Sequence, residues 1–340
     1  MHATVTTMRA VMLCSLTLSV HGLPRLHSLS ELGRCAEGDH ACYAFRTAST
    51  LLEYYQDPTD GLFGDTLPWV EANAIETLCD YVIQMGGKTA PEVRPLWHNL
   101  TLMLTLGGNV TQPQYPSDRP DDCGEPYCGS FDDQAWWGLA WAKAYELTDD
   151  PLHLWRAVRT FVYLRDMSWD ETQCSGGAWW SESRHYKNSI TNQLFFSLAA
   201  QLHPLWNHHY ASSSSSDGVG NTLLEMKRPW AGPNATPEVF DTNDYFLAWA
   251  KKSWSWIHSQ PLRDPVTGLY WDGLNSTQCP NITIYSNGTG SDGNDRGANA
   301  TWSYNQGVLL SGLGKLYEAT GDQSLLAVAD SVVQAVMGKA

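Results

Sequence analysis

The sequence has no apolar run long enough to cross a bilayer, few cations, no Cys-x-x-Cys pair and no sustained period-two alternation. Each absence narrows what the chain can be. Without about 18 consecutive apolar residues there is no membrane-spanning helix. Against 36 Asp and Glu stand 21 Lys and Arg, giving the 340 residues a formal charge of −15. With no local basic cluster, that balance repels nucleic-acid phosphates and anionic lipid, so no nucleic-acid partner is expected. The missing Cys-x-x-Cys argues against zinc or redox chemistry, and no metal or nucleotide motif appears, so neither cofactor nor metal is expected. The lack of alternation over several strands points to an all-α fold. Phenylalanine is also scarce, with 8 residues beside 16 Trp and 15 Tyr. Rings with a polar edge outnumber the plain hydrophobe, as in a core with polar rims or in a wet groove that needs flat faces.

What is present points to secretion. Met1–Gly22 reads as a signal peptide: Arg9 is its only charge, Ala10–Val20 is largely apolar, and Val20 and Gly22 suit the −3 and −1 positions of a cleavage site. Asn-x-Ser/Thr sequons begin at Asn99, Asn109, Asn234, Asn275, Asn281, Asn287 and Asn299. About two would be expected from the Asn, Ser and Thr content. Once Cys14 leaves with the signal, Cys35, Cys42, Cys79, Cys123, Cys128, Cys174 and Cys279 remain, an odd number on an oxidising route. Cys35/Cys42 and Cys123/Cys128 are the close-spaced candidates, but the pairing stays open and one cysteine is left over. No apolar tail of the GPI type closes the sequence.

Apolar residues recur at three-to-four spacing over Ala41–Tyr55, Pro68–Ile83, Pro91–Leu106, Asp132–Leu147, Pro151–Met167, Asn188–Leu202, Asp244–Ile257, Ser303–Ala319 and Gln323–Met337, which predicts nine helices. Gly268–Asp272 and Ile282–Tyr285 allow a small hairpin at most. A shift of 172 overlays Asp132–Phe161 on Tyr304–Val333: Gln134 meets Gln306, Lys143 meets Lys315, Tyr145-Glu146 meets Tyr317-Glu318, and Thr148 and Asp150 meet Thr320 and Asp322. Each copy is a helix, a tight turn and a second helix. Such hairpins cannot bury their apolar faces alone and stack side by side; a closed ring of them is an α/α toroid. One such domain is expected over residues 23–340, interrupted at about 206–238 by a Ser/Gly/Pro-rich insertion that includes Ser212–Ser216.

Asp-Asp occurs at 121–122, 132–133 and 149–150. Asp149-Asp150 precedes Pro151 and reads as a cap, and Asp121-Asp122 sits in a Pro-rich loop. Asp132-Asp133 differs, lying between Phe131 and Trp136, Trp137 and Trp141. Desolvation and like-charge repulsion raise the pKa of such a pair while the helix dipole lowers it, so the two can hold one proton between them. A retaining glycosidase needs that arrangement, with its two carboxyls roughly 5–5.5 Å apart. The alternative is an N-cap followed by a second acid.

Five stretches resemble, in order, the motifs of glycoside hydrolase family 76, the α-1,6-mannanases and related fungal cell-wall proteins. They are Trp69–Leu78 (WVEANAIETL), Asp132–Glu146 (DDQAWWGLAWAKAYE), Cys174–Trp180 (CSGGAWW), Tyr186–Leu202 (YKNSITNQLFFSLAAQL) and Tyr304–Gly307 (YNQG). The turn reads Cys-Ser-Gly-Gly where the family has three glycines. The resemblance implies an (α/α)6 toroid and a retaining attack on α-1,6-mannosides in mannan or a mannosylated glycan, with Asp132 as nucleophile and Asp133 as acid/base. Asn73, Gln134, Tyr186, Asn188, Tyr304, Asn305 and Gln306 would hold sugar hydroxyls, with helix caps or core polar groups as the alternative. Trp136, Trp137 and Trp180 would stack on sugar rings, although Trp136 and Trp137 point about 100° apart, which sends one inward. Lys187 would pair with an acid or be solvated. Hydrolysis and transfer to another sugar share the glycosyl-enzyme and stay undivided, and a non-catalytic mannan-binding protein is the reading from another class. Nine helices against twelve imply a ring lacking its last quarter.

Overall fold

The computed structural model describes residues 35–55, 68–90, 93, 96, 97, 100, 101, 103–107, 130–214, 225, 226, 238, 239, 244–275, 278, 279 and 298–338. The described residues fall into two compact units: those up to Gly107 together with Lys143–Asp150, and those of 130–142 and 151–338. The signal peptide, Cys123, Cys128, Ile282–Tyr285 and five of the seven sequons lie outside the described residues. No described helix is long and apolar enough to cross a membrane.

In the first unit, α1 (His40–Tyr55) starts where Asp39 Oδ1 accepts from the Cys42 amide at 3.0 Å, an N-cap tied down by the Cys35–Cys42 disulfide. α2 (Pro68–Gln84) buries Ala72, Ile75, Leu78, Cys79 and Val82 along one stripe. Of the helix expected over Pro91–Leu106, Leu96, Trp97, Leu100 and Thr101 are helical among the described residues, and Met103–Gly107 forms a π-helix. In the same unit, Lys143 Nζ meets Asp80 and Glu146, each at 3.0 Å. Burial and then Asp80 push Glu76, which shares this cluster, up to about 7.

α3 (Phe131–Thr148) starts in the second unit and ends in the first; the second also holds α4 (Pro151–Met167), α5 (Ser189–Ser214), α6 (Tyr245–Ser259), α7 (Ser303–Thr320) and α8 (Gln323–Val336). α5 runs through Pro204 and on to Ser214, well beyond the expected stop at Leu202 and into the segment read as an insertion. Short β1 (Glu225–Met226) and β2 (Glu238–Val239) pair antiparallel, and the remaining extended contacts among the described residues are isolated bridges.

The 172-residue repeat is a repeat of structure. Both first helices run for 18 residues, and Pro151 and Gln323 open the second helices. Thr148 and Thr320 donate to the carbonyls four residues back, each at 2.7 Å, and then accept from Asp150 N and Asp322 N. Asp149, with φ 56°, occupies the left-handed position that Gly321 fills with φ 70° in the other copy. That position favours glycine, and Asp tolerates it better than most residues.

Two glycines bring helices of the second unit close together. A Cβ on Gly138 would lie 2.6 Å from Leu198, and one on Gly312 would strike the Phe196 ring, so α3 and α7 both press against α5. Phe161, Phe195, Phe246 and Trp249 fill the space behind, with the Phe161 and Phe195 rings stacked 4.9 Å apart.

Candidate active site

The segments leading into α3, α5 and α7 are stitched to one another by backbone hydrogen bonds. Phe131 N donates to Trp180 O, and Trp180 N donates to Tyr186 O. Ser189 N donates to Asp272 O, while Asp272 N and Gly273 N donate to Ala300 O and Ala298 O. Three helix N-termini thus gather at one end, where their dipoles favour negative charge. Asp132 and Asp133 occupy the first turn of α3 at that end.

Asp132 is half-buried. Its Oδ2 accepts from Trp180 Nε1 at 3.1 Å and its Oδ1 from the Asp133 amide at 3.1 Å. These donors, with Ser130, favour the charged form, yet burial and then the Asp133 charge push the acid up to about 7. Burial also raises Asp133, with Ser130 opposing. Burial thus pushes both carboxyls upward from the ordinary carboxylate range.

Sequence reasoning missed a third carboxylate. Asp272 lies between Trp271 and Gly273 and is held by the Tyr186 hydroxyl at 2.8 Å and by side-chain hydrogen bonds from Asn305 and Trp302; burial raises its pKa. Gly273 has no room for a side chain, since a Cβ there would meet the Tyr186 hydroxyl and sit 2.8 Å from Asn188 Cα. Tyr304 lies near both acids: burial, then Asp272 and Asp132, push its phenol up to about 12. The signal that could have found Asp272 was the one used for Asp132, an acid among large aromatics.

Of the residues expected to hold sugar, Trp180, Tyr186, Tyr304 and Asn305 gather around these acids. Tyr186 offers its hydroxyl only through Asp272. Asn305 is fully buried, with Nδ2 3.4 Å from Trp271 O and its Oδ1 unpaired. Gln134 is buried at the start of α3, and Trp136 is half-buried. Three expectations need correcting. Trp137 is 1 % exposed and stacks on Trp141 in the core, so it has no open face for a sugar. Asn188 is a buried cap whose Oδ1 accepts from Thr191 N. Gln306 spends its amide on the backbone, accepting from Tyr270 N and donating to Tyr270 O, both at 2.9 Å, and donating also to Trp302 O. Asn73 lies on α2 in the other unit and donates to Trp69 O.

Lys187 is neither solvated nor paired with a carboxylate. It is fully buried, and its ammonium donates to the carbonyls of Asp170, Gln173 and Gly176 at 2.9, 2.8 and 2.6 Å. The loop it grips carries four consecutive positive φ values, Cys174 to Gly177, and a Cβ on Gly177 would run into Trp256. The Cys174–Cys279 disulfide closes the loop, and Asn192 clamps Ala178 N and O. The segment ends at Trp180, the donor to Asp132. Cys79 is the free thiol among the described cysteines and is buried. The described residues contain no cluster of ligands suited to a metal.

The model of glycosyl hydrolase family 76 matches residues 43–214 and 238–339. The chain belongs to this family. The match omits 215–237, most of the Ser-rich segment. Mannan endo-1,6-alpha-mannosidase DCW1 of Candida albicans is 26% identical over 293 residues, covering 81% of this chain and 51% of that protein. A putative mannan endo-1,6-alpha-mannosidase of Schizosaccharomyces pombe is 28% identical over 285 residues, covering 81% and 50%. The chain spans about half the length of these curated relatives. Among solved structures, a family 76 mannosidase from Bacteroides thetaiotaomicron superposes with a TM-score of 0.58 at 19% identity, over 86% of this chain and 70% of that one. An inactive variant of an alpha-1,6-mannanase from a Salegentibacter species, in complex with alpha-1,6-mannotriose, gives 0.54 at 19% identity over the same shares. The all-α toroid of helical hairpins expected from the sequence is the fold of this family.

Proposed function

We propose that this family 76 chain cleaves α-1,6-mannosidic bonds in mannan or a mannosylated cell-wall glycan by a retaining double displacement. The observation that carries this is the Asp132–Asp133 pair, two adjacent acids raised toward neutrality with Trp180 fixing one of them. Asp133 protonates the glycosidic oxygen as Asp132 attacks the anomeric carbon, giving a glycosyl ester. Asp133 then takes a proton from water, which attacks the ester and releases Asp132. With substrate bound, the proton of the pair moves to Asp133, where the leaving oxygen needs it. Trp180 Nε1, Asp133 N and Ser130 stabilise the charge left on Asp132. Asp272, with Tyr304 beside it, supplies acceptor and donor groups for sugar hydroxyls. The names of the fungal relatives support the substrate class, and the signal-like segment Met1–Gly22 and seven sequons support action outside the cell.

The test is turnover of linear α-1,6-mannan by the wild type, Asp132→Asn and Asp133→Asn. Loss of turnover in both variants is expected; equal activity in all three overturns the proposal. Adding a mannobiose acceptor and analysing the products separates hydrolysis from transfer.

A further inference from the structure

Trp302 and Tyr304 are among the most exposed large aromatic side chains described, at 50 % and 38 %. Their rings lie nearly parallel, 13° apart, with centroids separated by 6.0 Å. An exposed indole ordinarily lowers its free energy by folding back onto apolar neighbours, but this one is held at two points. Its side chain donates a hydrogen bond to Asp272, and its carbonyl accepts from Gln306 Nε2 at 3.1 Å. Trp has a single side-chain donor, so the edge of the ring is committed to the acid while half of the residue stays open. Tyr304, two residues on, feels the charges of both Asp272 and Asp132. Tyr304 and Trp302 thus both adjoin Asp272, and the Trp302 ring is half open to solvent.

We propose that Trp302, backed by Tyr304, is a stacking platform for a second pyranose ring, the neighbour of the unit held at the acids. The ligand class is a linear mannosyl chain, and in this the inference rests on the proposed function. A flat, rigid, partly wet aromatic face suits the C–H face of a pyranose, and pre-fixing the ring removes the ordering cost of binding. Asp272 then has two tasks, accepting from the Trp302 edge and facing the sugar at the acids, which couples the two positions.

The experiment measures calorimetric affinities of α-1,6-mannobiose, mannotriose and mannotetraose in an Asp133→Asn background. Trp302 is kept, replaced by Phe, or replaced by Ala, and thermal unfolding reports the fold of each variant. Phe loses the N–H donor but keeps an aromatic face. With Trp302 intact, occupying the platform should tighten binding by about five- to tenfold over the shorter chain. Phe should keep most of that increment, and Ala should lose it. An increment untouched in Ala overturns the platform, as does an equal loss in Phe and Ala, which would make the donor to Asp272 the whole effect. If no oligomer binds even with Trp302 present, the mannoside reading itself fails, a result distinct from either of these.

Discussion

The indole N–H of Trp180 reaches Asp132 Oδ2 at 3.1 Å, across 48 residues of sequence. Trp180 acts on the acid through its edge and stabilises the charged form. Trp180→Phe keeps the ring and deletes the donor. The pKa of Asp132 should therefore climb above about 7. A hydrogen bond to a charged group contributes about 1.5–3 kcal/mol, so kcat should fall by one to two orders of magnitude. The pH–rate profile checks both effects: its acid limb should move to higher pH. A profile unchanged in shape and position would detach Trp180 from the reaction.

Asp133 raises Asp132 by like charge, second only to burial. Asp133→Asn should thus lower the Asp132 pKa from about 7 while abolishing turnover, because the acid/base is gone. Carboxyl-selective ¹³C NMR of the variant, titrated between pH 4 and 9, reads this directly. A titration left at its wild-type position would mean that burial alone accounts for the shift.

Lys187 provides a stability test in the loop that carries Trp180. Lys187→Met leaves the carbonyls of Asp170, Gln173 and Gly176 buried without a donor. Such groups cost about 1–3 kcal/mol each when unsatisfied, and partial relaxation of the loop makes a net loss of about 3–5 kcal/mol reasonable. Urea unfolding measures it. If the loop also positions Trp180, kcat of the variant that remains folded should fall more than KM changes.

Helix ends were legible in the sequence because their causes are local. The Thr-x-Asp turn, Pro151 and the 172-residue repeat place the ends of α3, α4, α7 and α8 to within a residue or so. The acid pair was legible through its aromatic surroundings. Asp272 has similar surroundings in Tyr270 and Trp271, but no second Asp stands beside it, and its partners come from residues 186, 302 and 305. Lys187 was illegible for a related reason: its partners are backbone carbonyls, and every residue has one. Gln306 and Asn188 show the converse. A polar residue within a motif looks like a ligand until its hydrogen bonds are traced to the chain itself. The Cys174–Cys279 bridge spans 105 residues and could not be chosen among seven cysteines.

Glu76 should make the first unit less stable as the pH rises. Burial, then Asp80, raise its pKa from an ordinary 4.5 to about 7, while Lys143 works in the opposite direction. The folded chain therefore binds the Glu76 proton more tightly than the unfolded chain does. Stability from this group is fully present below about 4.5 and is lost as the pH climbs through about 7. A rise of that size corresponds to about 3 kcal/mol of lost stability at alkaline pH. Glu76→Gln keeps the shape and removes the charge, so its urea-unfolding free energy should exceed that of the wild type at pH 8 and match it at pH 4.5. Asp132 contributes a slope of the same sign, so the comparison belongs in an Asp132→Asn background, where the pH-dependent difference is that of Glu76. Equal stabilities of the two proteins at pH 8 would show that Lys143 compensates the buried carboxylate in full.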